Sequence, residues 1–130
     1  MTLFMHQRLK IRKDIGNKQD EGVTLNNLAT ISFAKGDYEN ALRYITDSLK
    51  IKQDIGDIAG ECRSLINIGH IQLQINRQDQ AMVSWLQAYK IAKQIGFAQI
   101  LSNLEELDKE LGGEGLAYWE ALSQENLAQE

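Results

Sequence analysis

Apolar residues recur along this chain at helical spacing. Leu25, Leu28, Ile31 and Ala34 follow one another in steps of three, with Ala29 and Phe33 beside them. Leu42, Ile45, Leu49 and Ile51 do the same on the next segment. Such spacing lines one face of an α-helix and leaves the other face polar. Gly36-Asp37 separates these two segments and Gly56-Asp57 follows the second. Glycine takes the left-handed conformation that closes helices. Asn76 stands where glycine would be expected in the next inner turn, and asparagine tolerates that conformation too. Asp37, Asp57 and Asp79 suit the positive N-terminus of a following helix. The pattern predicts seven helices, at about 2–15, 19–35, 38–54, 58–75, 78–94, 97–111 and 115–128.

The helices repeat. Residues 9–16 and 49–56 are identical at six of eight positions, and residues 89–96 supply a third copy. Leu25, Asn27, Leu28, Ala29, Ile31 and Ala41 fall, 40 positions on, upon Leu65, Asn67, Ile68, Gly69, Ile71 and Ala81. A repeat of this length indicates hairpins that each bury an apolar face against the next. Ala29 and Gly69 lie mid-helix, where glycine costs about 1 kcal/mol against alanine. A close crossing of the partner helix offsets that cost, with Ala41 and Ala81 expected to face them.

Composition narrows the reading. A hydrophobic share of 43% and a charged share of 25% describe an ordinary globular chain. The net charge of −4 argues against nucleic acid, which needs a concentrated basic surface. No apolar run is long enough for a membrane span, and the N-terminus lacks a signal peptide's order of residues. The single Cys62 excludes an internal disulfide and suggests a reducing cytoplasm.

Asn27-Leu28-Ala29 with Phe33, Lys35-Gly36-Asp37-Tyr38 and Ala41-Leu42 resembles the tetratricopeptide repeat signature. So does Asn67-Ile68-Gly69 followed by Ala81, Trp85 and Ala88. The usual repeat has about 34 residues. This longer one is similar to the repeats of kinesin light chains and of bacterial signalling and regulatory proteins. The resemblance implies an all-α fold of antiparallel hairpins stacked as a right-handed superhelix, an α-solenoid. It would form one domain over 1–130: a half repeat at 1–16 (second helix only), repeats at 17–56 and 57–96, and a degenerate repeat with a capping helix at 97–130. Asn103-Leu104 aligns with Asn67-Ile68 at a spacing of 36. Leu116, Trp119, Leu122 and Leu127 would cover the open end of the stack. The chain thus reads as the C-terminal end of a longer protein that carries an effector domain.

Catalytic signals are absent. His6 and His70 are far apart, and neither has a cysteine or carboxylate at metal-ligand spacing. Gly112-Gly113-Glu114-Gly115 lacks the residues of a phosphate loop. Glu105, Glu106, Asp108, Glu110 and Glu114 read as a solvated face, and Trp85 and Trp119 as packing residues. No enzyme activity, metal or cofactor is expected.

A binding role fits better. Stacked hairpins offer a concave groove lined by the first helix of each repeat. Asn27, Asn67 and Asn103 recur at one position of that helix. In the similar kinesin light chain repeats, asparagine there holds the main chain of a peptide, and an amide can both donate and accept. The alternative, an asparagine that ties one repeat to the next, stays open. Asn26, Thr30, Phe33, Arg63, Ile66, His70, Leu73 and Gln74 are neighbours by helical spacing. The expected partner is a protein or peptide, not nucleic acid or membrane. A homo-oligomer through an open N-terminal face carrying Leu3, Phe4, Leu9 and Ile11 is the structural alternative.

Overall fold

The computed structural model of the chain describes residues 2–110, with side chains at Asp14 and from Gly16 onward. The described residues form α1 (Thr2–Ala34), α2 (Tyr38–Ile55), α3 (Ile58–Gln74), α4 (Gln78–Ile95) and α5 (Ala98–Glu110). They contain no strand. The chain divides into two compact units, Met1–Asp57 and Ile58–Glu130. In the first, α2 packs against α1; in the second, α4 packs against both α3 and α5.

The turns follow from single residues. Gly36, Gly56, Asn76 and Gly96 all have positive φ, between 62° and 79°. Each places the next residue's N–H on a carbonyl five residues back: Asp37 on Ser32, Asp57 on Lys52, Arg77 on Gln72 and Phe97 on Ala92, at 2.8–2.9 Å. That bond is the Schellman closure. Asp37 then caps α2, its carboxylate accepting from the Asn40 N–H at 3.4 Å.

Gly16 behaves differently. The segments predicted at 2–15 and 19–35 are one continuous helix of 33 residues, so the described residues hold five helices. Glycine permits a left-handed closure but does not impose one. The intrahelical ladder continues through Gly16 at a local cost of about 1 kcal/mol. The helix expected at 115–128, with Leu116, Trp119, Leu122 and Leu127, lies outside the described residues.

The two hairpins share one register. In the first, the Ser48 hydroxyl donates to the Gly22 carbonyl at 3.4 Å. In the second, the Cys62 thiol donates to the Ala88 carbonyl at 3.5 Å. These are equivalent pairs, 40 residues apart, with the donor moved from the second helix to the first. About two turns further along the first helix of each hairpin, the core is built from a volume exchange. Ala29 and Ile45 are buried in the first hairpin; Gly69 and Trp85 hold the same positions in the second. A Cβ on Gly69 would lie 2.6 Å from both Cδ1 and Cε2 of the indole. Trp85 is fully buried, and its Nε1–H donates to the Ile66 carbonyl at 3.2 Å. Ala41 and Ala81 are buried as well, but an indole, rather than Ala81, occupies the space that Gly69 leaves.

Gly69→Leu is therefore expected to destabilise the protein by about 3 kcal/mol or more through overpacking. Gly22→Ala serves as a control, since its Cβ would meet Ile51 Cγ2 at an ordinary 3.5 Å. It should be neutral or stabilising by up to about 1 kcal/mol. Urea denaturation of both variants checks this, and equal midpoints would refute the register.

Candidate functional site

The buried positions of the first helices define an opposite, exposed stripe. On α3, the residues Cys62, Leu65, Ile66, Ile68, Gly69 and Ile71 face inward. Arg63, Asn67, His70 and Gln74 are exposed at steps of four, three and four, which is one helical face. The equivalent residues of α1, Val23, Asn27, Thr30 and Ala34, are exposed too. On α5, at an offset of 36, Gln99, Asn103, Glu106 and Glu110 are exposed in the same way. Each helix thus presents one asparagine at the second position of its stripe.

Asn27, Asn67 and Asn103 are exposed, and their amides make no hydrogen bond to a described residue. Asn26 lies off the stripe, half-buried at the position of Ile66, with its Oδ1 buried and unpaired. Thr30 turns its hydroxyl back to the Asn26 carbonyl at 3.0 Å. Phe33 sets its ring edge against Tyr38, centroids 5.2 Å apart, and so braces the α1–α2 turn. Ile66 is buried and Leu73 half-buried, so neither belongs to the exposed stripe.

Charged groups punctuate the stripe of the second unit. The Arg63 guanidinium lies over the Phe97 ring, 5.1 Å from its centroid. His70 meets the Trp85 indole edge to face at 5.6 Å. That cover disfavours the imidazolium and holds the His70 pKa below its usual 6.5, while the Glu110 carboxylate works against the shift. The expected solvated acidic face is broken at Asp108, which is buried; Glu105 pairs with Lys109 at 3.3 Å. Nothing in the spacing of carboxylates distinguishes Asp108 from its neighbours.

Among the described residues no three His, Cys, Asp or Glu side chains come together to hold a metal ion, and no helix is long and apolar enough to cross a membrane. Cys62 is fully buried, and burial raises its pKa from 9.0 to about 11, with the neighbouring Glu61 adding to the effect.

The tetratricopeptide repeat family matches the sequence over residues 20–94, more than half of the chain. The chain belongs to this family. No curated protein matches the sequence. Tetratricopeptide repeats generally mediate protein–protein interaction and are typically not catalytic. The residues that are alike in the two hairpins divide into those that close the core, such as Ala41 and Ala81, and the exposed asparagines, which close nothing.

At pH 8 the native Cys62 thiol should alkylate at least about a hundredfold more slowly than in the unfolded chain, because two pKa units separate their thiolate fractions. Its raised pKa also means that the burial of the neutral thiol stabilises the fold fully below pH 9 and progressively less as pH rises towards 11. Iodoacetamide labelling with and without urea tests the first point; equal rates would contradict the burial of Cys62.

Proposed function

We propose that this protein is a non-catalytic binding module whose first helices hold an extended peptide, or a segment of a partner protein, through their exposed asparagines, Asn27 in the first unit and Asn67 and Asn103 in the second. The observation that carries this reading is the set of exposed amides without partners among the described residues. Each amide can meet one peptide N–H and one carbonyl, and so reads a backbone without fixing its sequence. Arg63, His70 and Gln74 flank Asn67 on the same face, and Thr30 flanks Asn27. Asn26 and Phe33 have inward and turn-bracing positions, and contribute by supporting that face. We place the module in the cytoplasm, as the C-terminal arm of a larger bacterial signalling or regulatory protein, on the resemblance described above.

A second reading, self-association, is favoured by one observation. On α1, Leu28 and Ile31 are 38% and 51% exposed, whereas Ile68 and Ile71 at the same positions of α3 are buried. Apolar surface of that kind drives association. Light scattering across a concentration series separates a constant monomer mass, which removes this reading, from a mass that rises with concentration.

For the first reading, Asn67→Ala should weaken binding of peptides selected on the wild-type chain by about tenfold, the loss of one or two hydrogen bonds, and leave the melting temperature unchanged. Isothermal titration checks the affinity. Equal affinity in wild type and variant would refute a ligand role for the asparagine.

A further inference from the structure

The exposed stripes of α3 and α5 belong to the same compact unit, and their charges are not evenly spread. Towards the N-terminal end of α3 stands Arg63, held over Phe97, the residue just before α5. Its guanidinium forms no ion pair with a described carboxylate. A guanidinium restrained against an aromatic ring has lost little further freedom to lose, and its N–H fork matches a carboxylate. Towards the C-terminal end of α5 stand Glu106 and Glu110, both exposed. Neither has an ion-pair partner among the described residues. The Arg63–Phe97 contact sets the start of α5 beside the N-terminal half of α3, and these carboxylates follow nine and thirteen residues further along. Asn67 and Asn103 lie between the two ends.

We propose that this surface reads the charge order of its ligand: a carboxylate side chain of the bound peptide at Arg63, and a lysine or arginine of the same peptide at Glu106 and Glu110. The inference rests on the reading of the asparagine stripe as the peptide-binding face. The spacing follows from helix geometry. From Phe97, against which Arg63 rests, to Glu106 and Glu110 is nine to thirteen residues along α5, about 13–20 Å. An extended peptide covers that in about four to six residues. The expected ligand therefore carries an acidic and a basic residue about four to six positions apart, always in the same order. A uniformly acidic peptide would be repelled at one end and a uniformly basic one at the other.

The test is selection from a random library of phage-displayed dodecapeptides on the immobilised full chain. Selections on Arg63→Glu and on the triple variant Arg63→Glu, Glu106→Lys, Glu110→Lys run in parallel. The wild type should enrich peptides with the acid–base pair in one order. Arg63→Glu should weaken those peptides at least tenfold, and the triple variant should select the reverse order. Because all three positions are exposed, the variants should keep the wild-type melting temperature. Should one fail to fold, the wild-type complex still decides: its affinity must fall several-fold between 50 mM and 500 mM salt. Enriched peptides that depend on Asn67 but show no charge order, or that bind indifferently to salt and to Arg63→Glu, would overturn the charge reading while leaving the groove intact. No enrichment, or enrichment that Asn67→Ala leaves unaffected, would overturn the groove reading and this inference with it.

Discussion

The contact between Trp85 and Gly69 is the constraint on which the second hairpin turns. A buried indole occupies the volume that a side chain at 69 would need, and its N–H is satisfied by the carbonyl of Ile66, three residues earlier on the same helix. A glycine in mid-helix is unfavourable by itself, so the packing gained must exceed that penalty. The exchange also fixes rotation. With Gly69 facing the indole, Leu65, Ile68 and Ile71 turn inward and Arg63, Asn67, His70 and Gln74 outward. A one-residue slip would put an amide into the core and an isoleucine into water. In the first hairpin Ala29 and Ile45 solve the same problem with a smaller residue facing a smaller gap. The Ser48–Gly22 and Cys62–Ala88 hydrogen bonds then mark the same crossing in both.

Much of this was legible in the sequence because it is local. The 40-residue period, the turns at Gly36, Gly56, Asn76 and Gly96, and the inward apolar positions of α3 each depend on a few adjacent residues, whereas Leu28, Ile31 and Ala34 of α1, at the same spacing, are exposed. The 36-residue offset of the last repeat is also visible in burial, since Leu104 is buried as Ile68 is, and Asn103 exposed as Asn67 is. What escaped is what depends on a partner. Gly16 has the local sequence of Gly56 but stays helical. Trp85 could be recognised as a packing residue, but not as the group that fills the notch at Gly69. Asp108 is buried among exposed acidic neighbours, and Asn26, next to Asn27 in sequence, points towards the interior because neighbouring helical positions lie about 100° apart.

The proposed binding face is the remainder of that core. Each first helix uses one side for packing, and the side left over carries an asparagine at a constant position with different neighbours in each repeat: valine and threonine on α1, arginine and histidine on α3, glutamine and glutamate on α5. A constant group suits a constant feature of a ligand, its main chain, and variable neighbours suit variable side chains. The same division explains why buried groups such as Cys62 offer no chemistry. Desolvation keeps the thiol neutral and out of reach.

The most direct measurement is a titration of nitrogen-15-labelled protein with a library-selected peptide, followed through backbone and side-chain amide signals. The Asn67 and Asn103 side-chain amides should shift together, with the backbone amides of Arg63 and Glu110 following, while the backbone amides of the buried α4 positions Ala81 and Ala88 stay in place. Shifts confined to the outer face of α4, around Val83 and Gln87, with the asparagines unmoved, would contradict the proposed binding face.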